Sequence, residues 1–118
     1  MADLYYICVL TSDEAAERSE RAIKCTNNLE EAMRNIPNNH YCEIIWNIDA
    51  RSAGEMEDIY GAITEILSEQ RIYENNNRPT EWFRVSQEEL VNSLMSSNYV
   101  RSHIRGTYTG IPRDLSNN

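Results

Sequence analysis

The residues that could do chemistry in this chain are few and dispersed. Cys8, Cys25 and Cys42 fall in apolar stretches read as strands, and none belongs to a C-x-x-C pair. Neither a disulfide framework nor a zinc ribbon is therefore indicated, and such cysteines are expected to act as small buried hydrophobes. His40 sits in a polar turn and His103 near the C-terminus, each without a second ligand at metal spacing, so both read as solvated. Glu57 could hold a divalent metal, yet as a first-turn acid on a helix it also has a structural use against the helix dipole. Arg101, Arg105 and Arg113 could hold an anionic partner, and a solvated or self-docked segment is the plainer reading. What remains is carboxylate, 19 Asp and Glu against 11 Lys and Arg. Spaced carboxylates usually solvate a surface; they could also imitate a phosphate backbone and occupy another protein's DNA site.

The net charge of −8 argues against a tight grip on nucleic acid, because that grip normally depends on Lys and Arg displacing counterions from phosphates. The imbalance is uneven. Residues 98–118 carry Arg101, Arg105 and Arg113 against Asp114, a local +2 that leaves −10 on the rest. An acidic body with a mildly basic tail suggests that the tail folds back or reaches an acidic partner. The length of 118 residues, with 41% apolar and 25% charged content, fits one globular domain. No apolar run approaches the roughly 20 residues of a membrane span, and the N-terminus lacks a signal-type core. With unpaired cysteines besides, an intracellular protein with no membrane association is expected.

The elements that must position these residues can be read in order. Leu4 to Leu10 is a continuous apolar run suited to a buried strand. Thr11 to Arg21 is polar and reads as a loop, and Ala22 to Cys25 as a short second strand. Asn28 can cap a helix with Glu31 at its third position, ending at Ile36 before Pro37-Asn38-Asn39. Cys42, Ile44, Trp46 and Ile48 alternate and predict a third strand with those four residues on one face. Ser52 to Glu55 fits a capping box for a helix with Met56, Ile59, Tyr60, Ile63, Ile66 and Leu67 at helical spacing. Asn75 to Pro79 is a loop, Glu81 to Val85 a last strand, and Ser86 to Glu89 a second capping box. Beyond Asn98 there is no clear period, which predicts a loosely docked tail over 98–118 following a domain over 1–97.

Three segments and a helix taken together carry a family likeness. Tyr6-Ile7-Cys8-Val9-Leu10, then Lys24-Cys25-Thr26-Asn27-Asn28-Leu29-Glu30, then a helix bearing Glu57, then Thr80-Glu81-Trp82-Phe83-Arg84-Val85-Ser86 resemble the GIY-YIG endonuclease superfamily. The likeness is to its branch in phages and large DNA viruses, where the segments read YVYVL, KIGKTNNLERRL and EWFRVS. It covers roughly residues 4–97 and implies an α/β domain of the α+β type, a small, mainly antiparallel sheet flanked by about three helices.

The resemblance also implies a catalytic set, and most of that set is changed here. The family's first-strand tyrosine falls on Cys8, its second tyrosine on Ala22, its glycine on Lys24 and its helix arginine on Ala32, next to Glu31. Its metal-binding glutamate is retained as Glu57. Tyr5 or Tyr6, or Arg34, could substitute if the register were shifted, although Tyr5 lies on the other strand face from Cys8. The expected function is a catalytically inactive domain that binds a protein or regulates one, inhibiting or recruiting a nucleic-acid enzyme through its acidic surface. No cofactor is then expected. One alternative is a weak endonuclease dependent on Mg or Mn and using Glu57; another is a self-assembling structural protein, for which a homo-oligomer would be natural. A viral setting would allow a cytoplasmic or host-cell nuclear location.

Overall fold

The computed structural model describes residues 4–112. The chain forms an α+β domain in the order β1 (Tyr5–Ser12), α1 (Asp13–Glu17), β2 (Glu20–Thr26), α2 (Leu29–Arg34), β3 (His40–Ile48) and α3 (Ala53–Ile66). A 3₁₀ turn (Ser68–Gln70) follows, then β4 (Arg71–Tyr73), β5 (Pro79–Arg84), α4 (Gln87–Met95), α5 (Asn98–His103) and β6 (Ile104–Tyr108). All six strands join one sheet in the order β4-β5-β2-β1-β3-β6, every pair antiparallel. Among the described residues, no helix is long and apolar enough to cross a membrane.

The apolar run of β1 puts it near the centre of the sheet with both faces covered. Tyr5, Ile7 and Val9 enter the main core, against α3, α4 and α5, while Cys8 and Leu10 enter a smaller core under α2. The strand does not stop at Leu10. Thr11 is fully buried and its hydroxyl donates to the Glu20 carbonyl at 2.9 Å, so polar atoms are satisfied inside the sheet. Ser12 then caps α1 by accepting from the Ala15 amide, and Ser19 turns the chain at φ 54°. Residues 11–21, expected as a loop, are thus strand, helix and strand.

A bulge corrects the reading of β3. Val9 faces Ile44 and Leu10 faces Cys42, which leaves Glu43 as an extra residue. The extra residue reverses the alternation: Ile44, Trp46 and Ile48 line the main core, and Cys42 lies on the opposite face beside Cys8.

The helices begin where their caps predict. Asn28, Ser52 and Ser86 each accept from the amide three residues on, and Ser86 with Glu89 completes the reciprocal box. At Ser52 only half of it forms, because the Glu55 carboxylate takes the Arg51 amide and guanidinium instead. Ile66, expected on the apolar face of α3, is exposed.

The tail is the largest correction. Ser97 caps α5, Val100 is fully buried in the main core, and β6 pairs with β3 as an edge of the sheet. Residues 98–108 therefore belong to the same domain. Their strand shows no alternation in the sequence because Asn47 faces Gly106 and Ile48 faces Ile104, so Arg105 bulges out. A Cβ at Gly106 would lie 3.3 Å from the Tyr108 hydroxyl, a tight contact that the exposed Tyr108 side chain would relieve by a small shift. Strand β4 was missed for its three-residue length, and β5 begins at Pro79, a position a strand tolerates.

Candidate functional site

Three of the five positions implicated by the family likeness meet in one cleft. Cys8 and Lys24 are direct cross-strand partners on β1 and β2, and Ala32 on α2 faces the same space of about 330 Å³. Asn28 holds α2 over the strands. Its side chain accepts from the Glu31 amide at 3.1 Å and donates to the Glu31 carboxylate at 3.3 Å, while its backbone amide donates to Thr26 Oγ1 at 3.0 Å. Thr26, Asn28 and Glu31 at the mouth are thus bonded to one another.

The chemistry this cleft can do is limited. Lys24 is the one cation among its lining residues, and its Nζ lies 3.4 Å from the Glu81 carboxylate. Glu31 is the one carboxylate lining it, and Ala32 offers only a methyl. Cys8 is almost fully buried, and its interaction with the neighbouring Cys42 side chain pulls its pKa down against the effect of burial. The same interaction, and then burial, pushes Cys42 up.

The other implicated residues lie elsewhere. Ala22 is buried in the smaller core, paired with Leu10 on one side and Trp82 on the other. Glu57 is exposed on α3, which packs on the opposite face of the sheet from α2. Among the described residues no group of three or more His, Cys, Asp or Glu could hold a metal ion, so Glu57 is not part of such a set. Tyr5 is buried in the main core, and Tyr6 packs on the α2 face, across from Thr26. Arg34 is exposed, with its guanidinium 3.8 Å from Glu30 on its own helix.

Of the three tail arginines, Arg101 donates to Asn98 Oδ1 at 2.7 Å and Arg105 pairs with Asp49 at 3.0 Å. These are internal contacts, as a self-docked segment requires; Arg113 lies outside the described residues. The histidines are less solvated than expected. His103 Nδ1 is 2.8 Å from the Asp49 carbonyl, and His40 Nδ1 is 2.9 Å from the Asn38 carbonyl with its ring edge-on to Trp82. Cys25, expected to be buried, is exposed. Its thiol is nonetheless pushed up, foremost by partial burial and then by the charges of Glu81 and Glu57.

Sequence reasoning missed two polar links. Tyr60, read only as part of an apolar helix face, donates its hydroxyl to the Ile23 carbonyl at 2.8 Å and so ties α3 to β2; burial, then Glu81 and Cys25, raises its pKa. Arg21 and Glu43 form an almost buried ion pair at 2.7 Å. A carboxylate within the apolar run Cys42 to Ile48 was the available signal for the second.

No protein-family model, curated protein or solved structure matches this chain.

Proposed function

We propose that this chain is a catalytically inactive relative of the GIY-YIG endonucleases, kept as a module that binds a protein partner through its acidic surface. One observation carries the reading. The positions that the likeness equates with a catalytic tyrosine, a glycine and an arginine converge on one cleft as Cys8, Lys24 and Ala32. Phosphodiester cleavage needs a polarising cation, a nucleophile with a proton acceptor and a donor for developing negative charge. This cleft offers a buried thiol, an ammonium already paired with Glu81 and a methyl group.

Charge points the same way. A DNA strand approaching the cleft would meet Glu31 and Glu81 beside it, on a chain of net charge −8. A basic protein surface is the complementary partner, and a nucleic-acid enzyme, whose DNA site is itself basic, is the class that fits.

The test is incubation with supercoiled plasmid at low salt, with and without Mg²⁺ or Mn²⁺, beside Glu57→Ala. Neither cleavage nor a band shift is expected. Metal-dependent nicking that disappears in Glu57→Ala would overturn the inactive reading. Binding to a basic partner should weaken steeply as salt rises.

A further inference from the structure

Cys8 and Cys42 stand on neighbouring strands. Cys42 faces Leu10 across the β1–β3 pair, and Cys8 is the next residue along β1 whose side chain is on that face. The bulge at Glu43 is what puts Cys42 there. Both residues belong to the small core under α2, where they are 2% and 3% exposed, with their side chains on one face of neighbouring strands. Cys25 is excluded from this pairing: it faces Ile7 on the adjacent strand, so its side chain leaves the sheet on the other face.

Access to the pair is unequal. Cys8 lines the 330 Å³ cleft, whereas Cys42 lies beneath a shallower depression next to Gly110 and Ile111. The Cys42 thiol also donates to the Ile44 carbonyl at 3.4 Å. Cys8 is therefore the sulfur that borders the larger opening, and its interaction with the Cys42 side chain favours its thiolate.

We propose that Cys8 and Cys42 are a reversible redox-modification site, closed to a disulfide by hydroperoxide, which staples β1 to β3 at the floor of the cleft. The Cys8 thiolate attacks one peroxide oxygen. An S–O bond forms, the O–O bond breaks, and the departing hydroxide takes the thiol proton as water. The Cys42 sulfur then attacks the Cys8 sulfenic acid; the S–S bond forms, the S–O bond breaks, and hydroxide leaves with the Cys42 proton as a second water. Two thiols lose two electrons and the peroxide gains them. A dithiol reverses the step by exchange. None of this depends on whether the acidic surface has the partner proposed above.

The experiment treats folded full-length protein with hydrogen peroxide, beside Cys25→Ser, which changes only an exposed residue. Free thiols are counted in denaturant and the peptides mapped without reduction. The expected result is a fall from three thiols to one in the wild-type chain, which has three cysteines, and from two to none in Cys25→Ser. A Cys8–Cys42 peptide should appear, no disulfide between chains should form, and dithiothreitol should restore the count. Unchanged thiols in either protein, a bond to Cys25, or sulfinic acid on Cys8 without the cross-link would overturn the proposal.

Discussion

Arg21 on β2 and Glu43 on β3 form a two-point ion pair across the intervening strand β1, at 2.7 and 3.2 Å. A third donor of the same guanidinium bonds the Val85 carbonyl at 3.0 Å. The bulge in β3 explains how the carboxylate gets there, because Glu43 is the residue that the β1 register passes over. An extra residue re-aims a side chain at the cost of one ladder position, and here the re-aimed side chain joins β3 to β2 across β1 and, through Arg21, to the segment entering α4.

Removing one partner should therefore be costly. With side chains only 9% and 13% exposed, Glu43→Leu or Arg21→Met is expected to destabilise the domain by about 3–5 kcal/mol, since the remaining charge stays buried and unpaired. The double variant Arg21→Met/Glu43→Leu should lose less than either single change. Urea unfolding of all four proteins checks this, and additive losses would mean the two residues act separately.

A pH-dependent contribution is expected at the start of α3. Arg51, by its guanidinium and then its amide, holds the Glu55 carboxyl below its usual range. A depressed folded-state pKa stabilises above the unfolded value and is lost as pH falls through the folded one. Glu55→Gln should thus lower Tm at pH 7 relative to wild type, with the difference shrinking below about pH 4.3 and vanishing at stronger acidity. A difference that persists unchanged at pH 2 would show that packing, not charge, is responsible.

The C-terminal helix and strand should contribute to global stability. Val100 is fully buried in the main core, so Val100→Ala is expected to cost about 2 kcal/mol through lost burial and a residual cavity. Loss of the Ser97 cap, which accepts from the Val100 amide, should cost about 1 kcal/mol in Ser97→Ala. Chemical denaturation measures both. A loosely docked tail would leave the midpoint unmoved.

Under reducing conditions the three thiols should separate by access. Iodoacetamide on the native protein is expected to modify Cys25 and spare Cys8 and Cys42, which are buried. Because the Cys25 thiol is raised by partial burial and nearby carboxylates, its alkylation at pH 8 should be slower than that of free cysteine and should accelerate into the alkaline range. Peptide mass mapping against pH gives both results.

Much of this fold was legible where local chemistry decides it. The caps at Asn28, Ser52 and Ser86 mark helix starts because a side-chain oxygen and an amide three residues on must meet whatever the tertiary context. Tertiary effects hid the rest. Thr11 and Ser12 look like loop residues, and they continue a buried strand because hydrogen bonds satisfy their hydroxyls. Cys42 looks like a face-mate of Ile44, and one inserted residue sends it to the other side. The site was legible in the same uneven way: strand pairing brings Cys8 opposite Lys24 and α2 brings Ala32 to them, but nothing in the spacing of Glu57 reveals that α3 packs on the far face. Arg21 and Glu43 lie 22 residues apart with no shared period, so only the folded sheet shows that they meet.

The order of strands in the sheet has a consequence for how the chain is made. Synthesis delivers β1 first, and β1 is the strand that β2 and β3 later flank. The hairpin of β4 and β5 then adds outside β2, and β6 adds outside β3. Each newly emerged strand or hairpin finds a free margin already waiting, and none has to wedge between two that are joined. A chain that leaves the ribosome from its N-terminus can thus widen this sheet outward from its middle, the last strand to appear being one of the two outermost.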